Sequence, residues 1–124
     1  MQVELVHCIV SIGPAEARLD KKSSFTLFRI LQESLANVAR HAAAGRVGVR
    51  LEERGRRLEL SVEDDGTGIT RSQSESPTSF GIIGMRERVS MLGGTFEIKG
   101  SQGNGTTVRV TIPLRPPRRA PSRG

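Results

Sequence analysis

The chain has 124 residues and a 35% hydrophobic share, enough for one domain with a real core and no disulfide staples. No apolar run approaches the ~20 residues of a membrane span. No leader reads as a signal peptide, and the single cysteine excludes an internal disulfide and fits a reducing cytoplasm. The net charge of +6 is concentrated in the last ten residues, RPPRRAPSRG, whose four arginines leave 15 basic against 13 acidic groups elsewhere, and the four aromatics are all Phe; direct nucleic-acid binding, which favours stacking platforms, is not expected.

QVELVHCIVSI, residues 2–12, reads as a strand of high β-propensity. Cys8 reads there as a small buried hydrophobe and His7 as a structural histidine. GPAEARLDKK is a linker with turn signals at Gly13 and Pro14. Residues 23–43 read as a long helix, with Ser23 or Ser24 as its cap. Phe28, Leu31, Leu35, Val38 and Ala42 recur at spacings of three and four and form one apolar stripe. Glu33, Asn37, Arg40 and His41 form a second stripe, on the side roughly opposite. Taken alone, that stripe reads as a solvated polar face.

Val47, Val49 and Leu51 alternate, as do Leu58, Leu60 and Val62, around a turn at ERGR; this is a hairpin with one buried face. Arg54, Arg56 and Arg57 read as its solvated tip. Residues 70–80, TRSQSESPTSF, form a polar loop. In GIIGMRERVSMLGG, Ile82, Met85, Val89 and Leu92 have helical spacing, and Gly93-Gly94 is the stop. Two strands end the chain, TFEIKG and TTVRVTIPL, joined by SQGNG. The expected fold is α+β: a two-layer sandwich with a mixed, mostly antiparallel sheet and helices on one face. The domain is expected over residues 1–114, with a disordered Pro/Arg tail over 115–124.

VEDDGTGI, residues 62–69, is the stretch most suggestive of chemistry. It is not an EF-hand loop, because placing Gly66 at position six puts Ser61 and Ser72 at positions one and twelve. It is not a dinucleotide fingerprint, since Arg71 stands where the third glycine belongs, and no glycine precedes a P-loop Lys-Ser/Thr pair. One Cys and two His cannot close a zinc site. What remains is a carboxylate at a strand end, followed by glycines that let backbone approach a ligand. Such a carboxylate is a strong acceptor for an exocyclic amine such as adenine N6. By residues alone, an ordinary hairpin turn remains open.

Three further segments bear on the choice: FRILQESLANVARHA, GIIGMRERV and GNGTTVRVTIPL. With VEDDGTGI, their order and spacing resemble the N box, second glycine box, closing motif and first glycine box of one superfamily. It is the ATP-binding catalytic domain of gyrase, chaperone, histidine kinase and MutL ATPases, known as GHKL. The GMRERV wording resembles sensor histidine kinases of the nitrate-sensor type, which pair with helix-turn-helix response regulators.

The resemblance implies ATP and Mg²⁺ as cofactors and assigns roles residue by residue. Asp64 would accept from adenine N6, with Thr106 supporting it through a water. Gly66 and Gly68 would let the chain pass the base, Ile69 would pack on it, and Gly105 belongs to the closing motif. Asn37 would hold Mg²⁺, with Arg40 and His41 near the phosphates. Gly81 and Gly84 would shape the lid end, Met85 would line the pocket, and residues 70–80 would be the lid. Glu33 would act as a base or tune the metal site, and Asp65 would be a bystander facing away from the base. The implied activity is γ-phosphoryl transfer to a histidine on a separate dimerisation domain, with a response regulator downstream. The chain itself would be monomeric, cytoplasmic, free of membrane contact and unable to phosphorylate itself. The alternatives are a stand-alone anti-sigma serine kinase of the same superfamily and a non-catalytic nucleotide-binding interaction module.

Overall fold

Helix α1, Lys21–His41, begins where Asp20 can cap it. The Asp20 carboxylate accepts the Ser23 N–H at 2.7 Å, the bond an N-cap side chain makes to the third helical residue. The cap is therefore Asp20, not Ser23 or Ser24; Ser23 lies inside the first turn and is buried. The computed structural model describes residues 4–11, 19–41, 44–69, 81–101 and 103–114. The expected loop 70–80, the 13–18 part of the linker, Ala42 and the 115–124 tail lie outside the described residues.

The other elements are β1 (Glu4–Ser11), β2 (Arg46–Arg54), β3 (Arg57–Asp64), α2 (Ile82–Met91), β4 (Thr95–Ser101) and β5 (Gly105–Pro113). The five strands form one sheet in the order β1-β2-β3-β5-β4. β1 and β2 are parallel, with α1 as the crossover that such a pair requires. The other three pairings are antiparallel. The architecture is the expected mixed, mostly antiparallel two-layer sandwich. Helix α2 stops at Gly93, whose φ of 76° is left-handed. Gly94 N–H then donates to Val89 O at 3.0 Å and closes the last turn.

Alternation decides which sheet face is covered. Val47 and Val49 of β2, Leu58, Leu60 and Val62 of β3, and Val108, Val110 and Ile112 of β5 join one core with residues from both helices. The opposite face carries a ladder of charges. Lys99 pairs with Glu97, Glu97 with Arg109, Arg109 with Glu59, Glu59 with Arg54, and Arg54 with Glu52, at 3.4–4.0 Å. Each pair is exposed enough to add little stability, but together they keep the uncovered face soluble. On the same face of β1, His7 is exposed, and its ring lies where a Cβ on Gly48 would stand.

Two further sequence expectations need correction. Cys8 is exposed rather than buried, because β1 is an edge strand and the helical layer leaves this part of it uncovered. Helix α1 does not bury the expected stripe. Phe28 and Leu35 are exposed and Leu31 is half-buried, whereas Ser23, Thr26, Leu27, Ile30, Ser34 and Val38 face the core. The buried face thus lies between the two stripes read from the sequence. Small residues at positions 23, 26 and 34 bring the helix close to the sheet, and hydrophobic periodicity does not register small polar residues as core. Glu33 and Asn37 therefore flank the core instead of opposing it, and both are half-buried.

Ser34 Oγ is buried and has no hydrogen-bond partner among the described residues. An unsatisfied buried hydroxyl costs about 1–3 kcal/mol. Ser34→Ala is expected to stabilise the domain by about 1 kcal/mol, read as a rise of a few degrees in the thermal midpoint. A fall would show that the hydroxyl has a partner in solution.

Candidate functional site

Strand β3 ends at Asp64, level with Val47 of β2 and one step past the Glu63–Thr107 pair with β5. There the Asp64 carboxylate is half-buried. Its Oδ1 accepts the Gly66 N–H at 2.8 Å and the Thr106 N–H at 3.3 Å. Its Oδ2 accepts no hydrogen bond from the described residues. One oxygen is fixed by backbone and the other is left to present its lone pairs.

The residues after Asp64 turn across the end of β4 and β5. Gly68 adopts φ 85°, a left-handed conformation natural to glycine. Ile69 N–H donates to Thr106 Oγ1 at 2.8 Å, and Gly103 N–H donates to Thr67 O at 2.9 Å. Thr106 thus supports Asp64 directly through its backbone N–H, while its hydroxyl holds Ile69. A Cβ on Gly105 would overlap the Asp64 carbonyl. Asp64, Gly66, Gly68, Ile69, Gly105 and Thr106 form one cluster.

Gly100 belongs beside them and was missed. A Cβ there would overlap the Ile69 backbone. Its signal in the sequence was a glycine inside a strand pattern, which marks a close backbone approach.

A second cluster lies where α1 meets α2. Gly81, at φ 65°, is the N-cap of α2, and no side chain caps it. Its N-terminal N–H groups thus have no intrahelical partner until Met85 N–H reaches Gly81 O at 3.1 Å. A Cβ on Gly81 would meet the Glu33 side chain at 3.3 Å, whereas one on Gly84 would meet nothing within 4 Å. Glu33 pairs with Arg40 at 3.6 Å. Asn37 stands one turn along from Glu33, half-buried. Met85 is fully buried in the core. The His41 side chain lies outside the described residues.

Asp65 is no bystander. Its Oδ1 accepts the N–H groups of Gly45 and Arg46, each at 2.9 Å, and its own N–H donates to Arg46 O at 3.2 Å. The two adjacent carboxyls are pushed in opposite directions. Burial raises Asp64 above its ordinary 3.8, against the pull of the Gly66 and Thr106 N–H groups, and the Asp65 charge adds to the rise. The Arg46 N–H, and then that of Gly45, lowers Asp65 below 3.8.

The model of the histidine kinase-, DNA gyrase B-, and HSP90-like ATPase family matches residues 23–116. The chain belongs to this ATPase family. It is 37% identical over 103 residues to the histidine-protein kinase/phosphatase DegS of Brevibacillus brevis, covering 83% of this chain and 26% of that protein. It is 43% identical over 100 residues to UhpB of Salmonella typhimurium, another histidine-protein kinase/phosphatase, covering 81% and 19%. The chain therefore spans about a quarter or less of the length of these relatives. Among solved structures, the blue-light activated histidine kinase of Erythrobacter litoralis EL346 superposes with a TM-score of 0.75 at 24% identity, over 90% of this chain and 35% of that one. The mycobacterial sensor histidine kinase MprB superposes with a TM-score of 0.66 at 25% identity, over 92% and 83%. This is an ATP-binding domain of the kind that histidine kinases carry. No helix among the described residues is long and apolar enough to cross a membrane.

The split between the two carboxyls is measurable. In a carboxyl-carbon NMR titration, Asp64 is expected to titrate above 3.8 and Asp65 below it. Protonation removes the acceptor, so adenosine affinity should fall as pH drops through the Asp64 titration while Asp65 is still ionised. A common midpoint would show that the backbone N–H groups do not distinguish them.

Proposed function

We propose that this domain binds ATP with Mg²⁺ and donates its γ-phosphoryl group to a histidine on a separate helical dimerisation domain, as the catalytic part of a sensor histidine kinase. The observation that carries the nucleotide half is the Asp64 carboxylate, with Oδ1 held by two backbone N–H groups and Oδ2 open. An ionised carboxylate only accepts, so it takes the N6 amine of adenine and rejects guanine, which carries an acceptor at the same position. Gly66, Gly68 and Gly105 let backbone come close to the base, and Ile69, held by Thr106, packs on it.

The second cluster takes the phosphates. The uncapped N-terminus of α2 at Gly81, with open space beside Gly84, suits a negatively charged group. Arg40, exposed at the end of α1, adds positive charge; His41 would act with it near the phosphates. The exposed Arg40–Glu33 pair is worth little, so a phosphate can draw the guanidinium away at small cost. Magnesium is held mainly by phosphate oxygens with one or two protein ligands. Glu33 and Asn37, one turn apart on α1 and both half-buried, offer side-chain oxygens of that kind. Asn37 would supply its amide oxygen, and Glu33 would tune the site or act as a base. The ion would supply positive charge that neutralises the phosphates. Met85 supports the start of α2 from the core side.

In the transfer, a histidine nitrogen attacks the γ-phosphorus. The bond to the β-bridging oxygen breaks, and ADP leaves with the electron pair. Positioning and charge neutralisation do most of the work. The similar proteins named above are histidine kinases, which does not favour the serine-kinase or non-catalytic alternatives. The finer reading follows from the GMRERV wording: a cytoplasmic kinase segment of the nitrate-sensor type whose phosphoryl group passes to a helix-turn-helix response regulator.

Calorimetry tests the proposal. ATP should bind with Mg²⁺, more weakly in EDTA, and GTP should bind poorly. Asp64→Asn keeps the size but presents an amide donor to the N6 donor, and should cost roughly 100-fold in ATP affinity. Unchanged affinity would overturn the pocket assignment. Asn37→Ala should remove most of the Mg²⁺ enhancement and leave affinity in EDTA unaltered; an equal loss in both would remove Asn37 from the metal site.

A further inference from the structure

We propose that Asp65 is a positioning residue that sets the spacing between the two halves of the nucleotide site. The inference rests on the nucleotide reading above. The adenine half hangs on Asp64, at the end of β3. The phosphate half hangs on the last turns of α1, which carry Asn37, Arg40 and His41. These halves come from different elements, and Asp65 is bonded to the joint between them. Three hydrogen bonds connect it to Gly45 and Arg46, the residues through which α1 passes into β2.

On its other side β2 is paired with β1, with Glu4 level with Arg46; on the side toward Asp64, Asp65 holds the joint. The β2–β3 ladder pairs Val47 with Asp64, and the Asp65 N–H extends it one step, to Arg46 O. Beyond that step, the Gly45 and Arg46 N–H groups point out of the ladder, and a single carboxylate oxygen gathers both. Gly45 is exposed and has open space around it, so packing does not fix its position. Ala44, just before it, is buried in the core and anchors the side of the joint toward α1. Because Asp64 and Asp65 share a peptide unit, a shift of the joint is passed to the adenine carboxylate, and a loose joint lets the two halves drift apart.

The test uses two ligands that report different halves. Adenosine reads the adenine half alone, and Mg-ATP reads both. Asp65→Ala should bind adenosine within about 2-fold of the parent and lose about 10-fold in Mg-ATP affinity, since misplacement by about an ångström is costly. Asp65→Asn should restore Mg-ATP binding, because its amide oxygen can accept the same two N–H groups. Parent-like Mg-ATP binding by Asp65→Ala overturns the positioning role, as does an equal loss of both ligands or a failure of Asp65→Asn to rescue. Amide exchange in the unaltered chain tests the clamp without any variant. The Gly45 amide should exchange more slowly than that of Gly55, which is also exposed, at the hairpin tip; equal rates overturn the clamp even if Asp65→Ala does not fold. A parent chain that binds neither ligand overturns the nucleotide reading and the positioning role with it, whereas intact parent binding beside an unaffected Asp65→Ala overturns the positioning role alone.

Discussion

One carboxylate oxygen organises the nucleotide end of this domain. Asp64 Oδ1 gathers the N–H groups of Gly66 and Thr106, and so ties the glycine turn after β3 to the start of β5. Both N–H groups lie at places where the ladder gives out and would otherwise have to find water. The bond geometry fixes the side chain, and among the described residues none donates to its second oxygen. The same half-buried setting makes the charged form costly to hold, which is why burial pushes this carboxyl up while its exposed neighbour Asp65 goes down. The proposed recognition and the observed backbone satisfaction would thus be the work of one group.

The surrounding glycines follow from that arrangement. Gly105 runs against the Asp64 carbonyl, and Gly100 runs under Ile69. In each case backbone occupies the space of a side chain, so the turn can lie flat against the sheet. Thr106 completes the link by holding Ile69 with its hydroxyl. A hydrophobic residue is thereby presented beside a fixed acceptor, the combination that an aromatic base with an exocyclic amine requires.

The placement of α1 decides the other end. The face that α1 buries, with small residues at 23, 26 and 34, turns Glu33 toward the seam with α2 and leaves Asn37, one turn along, half-buried. There Glu33 touches the uncapped start of α2 at Gly81. The helix with its polar stripe in open solvent could not bring these groups to a helix N-terminus. Leaving Phe25 and Phe28 exposed is the other consequence of that rotation; nothing in the structure shows what covers them.

Much of the fold was legible in the sequence, because strand and helix periods are local properties of the chain. The alternation of Val108, Val110 and Ile112, the spacing of Ile82, Met85 and Val89, and the Gly93-Gly94 stop all read directly. The family was legible too, since its motifs keep a characteristic order. What the sequence could not decide was anything that depends on distance between segments. Periodicity weighs side chains by hydrophobicity, so it placed Phe28 and Leu35 inside and overlooked Ser23, Thr26 and Ser34. It could not see that β1 is an edge strand, and so buried Cys8. Asp65 looked idle because its partners, Gly45 and Arg46, are about twenty residues away along the chain. By itself the sequence determined the elements, the core strands and the family. Only the tertiary structure decided which oxygen of Asp64 is tied, because that choice is made by backbone groups brought together from the turn after β3 and from β5.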